Sequence, residues 1–168
     1  MICRWKPDSH GRILSHSSNG KKILEILLEI QTNSTNSNDL ILTGGLRMVG
    51  CHFPPQLQDR LKRFLLSTNR KNLPALNHLF EQRPISWKGA YFDDARNTDN
   101  AWIELSIEYF FDSDHRSTTC IPCLDIDQLN CLDQPRFIWK DVQHTLDIGP
   151  RTHYRLVKDL AYKLDAYF

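Results

Sequence analysis

Apolar positions along this chain follow two distinct periods. Ile103, Leu105, Ile107 and Tyr109 alternate with polar neighbours, the period of a half-buried strand, within an extended segment at 101–111. Leu57, Leu61, Phe64 and Leu65 recur at helical spacing after Pro54-Pro55, and Pro55 suits a first helical turn. Leu156, Val157, Leu160, Ala161 and Leu164 form one stripe of a closing helix at 153–166. Further strands are expected at Ile2–Trp5, 22–30, 40–42, Ile85–Phe92 and 136–142. A short helix is expected at 72–82, with Leu76, Leu79 and Phe80 inward. Residues 32–39, rich in Asn, Ser and Thr, read as a polar loop. Strands with one helical region in the middle and one at the end predict a mixed sheet packed between helices.

The 168 residues suffice for one domain with a real core. A formal charge of +1 argues against a general nucleic-acid or membrane-surface binder, since both rest on a basic face. The apolar run at 23–30 is interrupted by Glu25 and Glu29, so it does not span a bilayer. No signal-like start is visible, and the chain reads as cytosolic or as part of something larger. Five cysteines show no disulfide spacing. Cys120 and Cys123 form a lone C-x-x-C without a second pair, so free thiols are expected rather than a zinc site.

The most informative stretch is Asp93-Asp94-Ala95-Arg96-Asn97-Thr98-Asp99-Asn100-Ala101-Trp102-Ile103-Glu104. It resembles the DDPRNTDNAW signature of the Nudix-fold ADP-ribose pyrophosphatases. It is also similar to the Nudix-like domain of the ADP-ribose-gated melastatin-type TRP channel. Arg96 to Trp102 match without a break, and a mostly polar run of that kind does not arise from a folding pattern. Weaker matches are Arg4-Trp5-Lys6, Gly44-Gly45, the run Trp87 to Phe92, Trp139, and His153 before the last helix. The resemblance implies a Nudix α/β/α sandwich, a single core domain over 1–168, and the absence of the family's N-terminal lobe.

The family's Nudix box, G-x5-E-x7-R-E-U-x-E-E-x-G-U, places carboxylates on a helix face. They hold a divalent ion against a pyrophosphate. Anchored on Gly45, the first Glu position falls on Cys51, the R-E pair on Asp59-Arg60, and the E-E pair on Arg63-Phe64. Asp59 is the one acidic residue between 49 and 76, so no other register restores the set. A degenerate box is therefore expected, without catalytic residues or a metal, and with no cofactor (Mg²⁺ if the chain hydrolyses). Arg60, Lys62 and Arg63 are expected to face water; the alternative is that they neutralise phosphate in place of a metal.

The resemblance carries Asp94 to a ribose contact and Arg96 to a phosphate contact. A loop salt bridge is the bland alternative for that pair. Gly44 and Gly45 allow close backbone approach to a pyrophosphate, or simply end a strand. The family's Y-x-N or Y-x-S before the last helix is replaced by Pro150 and Thr152; Thr152 retains one hydroxyl for a ribose. His153 reads as a helix-start residue, and Glu104 as a solvent-facing strand residue. The alternative for Glu104 is a carboxylate near the site, which with Asp93 or Asp94 would replace the lost glutamates if the chain hydrolyses. The leading expectation is an ADP-ribose-binding sensor or gating module. It is cytosolic, at the inner face of the plasma membrane if part of a cation channel, with a mitochondrial location as the alternative. The other functional readings are an Mg²⁺-dependent ADP-ribose pyrophosphatase yielding AMP and ribose 5-phosphate, and a non-binding structural remnant.

Overall fold

The structure, a computed structural model, describes residues 1–32, 38–45, 48–68, 73–92, 98, 103–118, 121, 136–149 and 151–168. Its strands are β1 (Ile2–Trp5), β2 (Leu24–Thr32), β3 (Asn38–Leu42), β4 (Ile85–Phe92), β5 (Ile103–Asp112) and β6 (Arg136–Asp141). Its helices are α1 (Pro55–Thr68), α2 (Leu73–Glu81) and α3 (Arg151–Lys163). Several boundaries shift by one to three residues from the expected ones, and two of the differences change a reading. β3 begins at Asn38, inside the expected polar loop, because its ladder with β2 extends to the pair Thr32–Asn38. α3 begins at Arg151, so Thr152 lies inside its first turn rather than ahead of it.

One strand organises the sheet. The first half of β2 pairs antiparallel with β1, from Cys3–Ile26 to Trp5–Leu24. The second half pairs antiparallel with β3, from Leu28–Leu42 onward. The opposite edge of β2 carries β6 along its length, from Glu25–Asp141 to Ile30–Arg136. β1 and β3 therefore lie end to end along one edge of β2. The chain leaves that edge at Thr43, close to where β1 begins. Beyond β1 the sheet continues through parallel β5 to antiparallel β4.

Alternation along the strands feeds two cores. Ile2, Leu27, Phe110, Phe137 and Trp139 pack with Leu57, Leu61, Phe64 and Leu65 of α1 and with Leu76, Leu79 and Phe80 of α2. On the other face Cys3, Trp5, Leu24, Ile26, Leu28 and Ile138 pack with Val157, Leu160 and Ala161 of α3. This is an α/β/α sandwich, in agreement with the sequence expectation. Period two sets Glu25 and Glu29 on the same face as Leu27, beneath α1 and α2. A carboxylate there must be paired, because burying an unpaired charge is costly. Arg4 meets Glu25, and Arg60 meets Glu29.

Candidate functional site

The site lies where β3 peels away from β2 beside the start of β1. A cavity of about 240 Å³ opens there, lined by the turn Thr43-Gly44-Gly45, by Pro54 and Leu57 at the start of α1, and by His153 and Leu156 at the start of α3. Ile2, Ile107 and Phe110 supply an apolar floor, and Glu108 lies at its wall. Two helices from opposite layers thus begin at one cavity. Helix starts carry unsatisfied N–H groups and partial positive charge, so both bias the cavity toward an anion.

Two glycines permit this close assembly. A Cβ on Gly45 would stand 3.1 Å from Cβ of Pro54 and 3.6 Å from the backbone nitrogen of Leu57. A side chain there would push the turn off the first turn of α1. A Cβ on Gly149 would stand 3.3 Å from Nδ1 of His153 and 3.4 Å from the carbonyl of Leu40. The Gly149 N–H instead donates to that carbonyl at 2.9 Å, tying the approach to α3 onto β3. His153 is half-buried, and burial lowers its pKa, so the imidazole is held neutral more readily than in water.

The four positions read as a degenerate Nudix box have four separate environments. Cys51 sits in the turn before α1, its N–H donating to the Met48 carbonyl at 3.1 Å. It lines a separate cavity of about 320 Å³ with His52, Phe53 and residues of α2. Phe64 is buried, its ring centroid 5.4 Å from that of Phe137. Arg63 is exposed. Arg60 departs from the expected solvated face. Its Nη2 donates to the Gly44 carbonyl at 2.6 Å, and its Nε lies 3.0 Å from Oε1 of Glu29. The cause is geometric: Arg60 is one turn beyond Leu57, at the sheet-facing edge of α1, above the one carboxylate that β2 presents there. Burial raises the Glu29 pKa and the Arg60 charge opposes that rise. Lys62, by contrast, lies 5.5 Å from the Phe80 ring, away from the turn.

Among the sequence-predicted ligand residues, Gly44 and Gly45 are placed at the cavity. Asp94 and Arg96 lie outside the described residues, as do Trp102 and the C-x-x-C pair. The side chains of Thr152 and Glu104 also lie outside the described set. The fold also brings to or beside the cavity Glu29, Thr43 and Glu108, which no sequence motif singles out, and His153, which the motif places only at the start of the last helix. Among the described residues, no cluster of three His, Cys, Asp or Glu side chains suits a metal ion. No described helix is long and apolar enough to cross a membrane.

No family model matches the chain. Individual relatives do. Mitochondrial ADP-ribose pyrophosphatase of Rattus norvegicus is 25% identical over the whole chain, which spans 47% of that protein. The transient receptor potential cation channel subfamily M member-like 2 of Nematostella vectensis is 31% identical over 67% of the chain. Subfamily M member 2 of Rattus norvegicus is 35% identical over 62% of it. The chain spans about half the length of the pyrophosphatase and 7% and 6% of the two channels. The sandwich and these similarities agree with the resemblance carried by Arg96 to Trp102, and identify the chain as a Nudix-fold relative of ADP-ribose pyrophosphatase and of the subfamily M member 2 channels.

Proposed function

We propose that this chain recognises ADP-ribose without hydrolysing it, as a sensing module of the kind a ligand-gated channel would carry. The observation that carries the reading is Arg60. At a box position where the family uses a glutamate, the fold holds a guanidinium against Glu29 and the Gly44 carbonyl. A hard divalent ion needs several oxygen anions, and a fixed cation beside the turn repels it. The anion-favouring starts of α1 and α3 support phosphate binding at the cavity. Its volume of about 240 Å³ takes part of a nucleotide rather than a whole one. Asp94 and Arg96 would serve the ribose and phosphate from the signature loop, and Thr152 a terminal ribose.

The pyrophosphatase reading is favoured by one observation, the 25% identity to ADP-ribose pyrophosphatase over the entire chain. Hydrolysis would require Mg²⁺ held by carboxylates outside the box. Phosphorus NMR of ADP-ribose incubated with the chain and Mg²⁺ separates the two. The sensing reading predicts an unchanged pyrophosphate signal. Conversion to AMP and ribose 5-phosphate would overturn it.

A further inference from the structure

We propose that Arg60 is a built-in cation that positions the Gly44–Gly45 peptide for a ligand phosphate, so that anion binding at this site needs no divalent metal. The inference rests on the reading that the cavity takes the pyrophosphate of ADP-ribose.

The geometry starts with charge. Glu29 faces the α1 side of the sheet, and its carboxylate is mostly buried, with 16% of the side chain exposed. Its neutralising partner is Arg60, whose guanidinium also donates 2.6 Å to the Gly44 carbonyl. One planar cation thus joins a carboxylate on β2 to a backbone oxygen in the turn after β3. An ammonium could satisfy either acceptor, but it lacks the fork that spans both.

Backbone geometry carries the effect toward the cavity. In a trans peptide the carbonyl and the following N–H point in opposite directions. The Gly44 carbonyl is held toward Arg60, so the Gly45 N–H is presented on the other side of the turn. No described residue accepts from that N–H. A Cβ added to Gly45 would meet Cβ of Pro54 at 3.1 Å, so the turn lies close against the start of α1 as well. Arg60 does not line the cavity; it is a positioning residue that acts through Gly44. Lys62 and Arg63 cannot share the task, because Lys62 lies over Phe80 and Arg63 is exposed.

The test is calorimetric titration of the full chain with ADP-ribose in EDTA and in Mg²⁺, using wild type, Arg60→Lys, Arg60→Ala and Arg60→Glu. Wild type is expected to bind equally in both buffers. Arg60→Ala is expected to weaken binding about 10- to 100-fold, the range of a charge-assisted hydrogen bond, and Arg60→Lys by less. Arg60→Glu would set two carboxylates beside the Gly44 carbonyl, a set of oxygens suited to a divalent ion. Its affinity is expected to collapse in EDTA and to recover with Mg²⁺, which a merely structural role for Arg60 would not produce. Wild-type binding with undiminished Arg60→Ala affinity would overturn this inference and leave the proposed function standing. Loss in Arg60→Glu without Mg²⁺ rescue, beside unchanged melting of that same variant, would also overturn it. Absence of wild-type binding would overturn both.

Discussion

The guanidinium of Arg4 lies 4.0 Å from the centroid of the Trp139 ring while its Nε donates to Glu25 at 2.9 Å. Both charged residues are nearly inaccessible, Arg4 at 2% and Glu25 at 6%. Arg4 also donates to the Thr118 carbonyl at 3.4 Å, linking β1, β2, β6 and the loop after β5. Truncating one partner of a buried pair leaves the other charge uncompensated. Arg4→Ala is expected to destabilise by about 3–5 kcal/mol, and the Arg4→Met/Glu25→Leu double variant by much less. Urea denaturation of the two variants checks this; equal losses would show that packing, not charge, sets the cost.

Restoring a glutamate by sequence alone should fail at Phe64. The side chain is 1% exposed and packs against Phe137 beneath α1. Phe64→Glu removes a buried aromatic, worth about 3–5 kcal/mol on truncation, and adds an unpaired carboxylate. The variant is expected to be largely unfolded by circular dichroism and to release no AMP. A folded variant with Mg²⁺-dependent turnover would mean that α1 has a different register from the one described.

His153 and His115 give the stability a pH dependence of known sign. Burial lowers both pKa values in the folded state. The unfolded chain then binds more protons below the ordinary imidazole value of about 6.5, and stability falls as pH drops through that value. The loss ceases below the depressed folded values, where both states are protonated. Each histidine contributes at most about 1.4 kcal/mol per pH unit. Melting temperatures at pH 7.5 and 5.5 should therefore differ less in a His153→Gln/His115→Gln variant than in wild type.

The thiols of Cys3 and Cys51 should react at very different rates. Burial pushes Cys3 up to about 12, and its Sγ lies 3.5 Å from the Phe110 carbonyl. Cys51 is half-buried in the turn before α1. Iodoacetamide at pH 8 followed by peptide mass mapping should modify Cys51 and spare Cys3 until denaturant is added, because the thiolate is the reacting species. Labelling of Cys3 in the native protein would contradict the packing of β1.

Much of the fold was legible because the periods of 2 and 3.6 residues are strong around Leu57–Leu65, Leu76–Phe80 and Ile107–Tyr109. Sheet order was not. The parallel pairing of Ile2 with Phe110 joins residues more than a hundred positions apart, and no local pattern encodes it. The role of Arg60 was hidden for a related reason. On α1 it reads as part of a basic run with Lys62 and Arg63, and periodicity assigns such runs to water. The available signal lay in β2. Glu25 and Glu29 interrupt an apolar strand at positions sharing one face with Leu27, and a strand buried on both sides cannot carry carboxylates there without cations opposite them.

Calorimetric titration of the wild-type chain in EDTA tests metal-independent recognition of ADP-ribose most directly. Saturable heat, unchanged when Mg²⁺ replaces EDTA and with ADP-ribose recovered intact, is the predicted result. Heat that appears only with Mg²⁺, together with AMP in the recovered sample, would contradict it and assign the chain to the hydrolases.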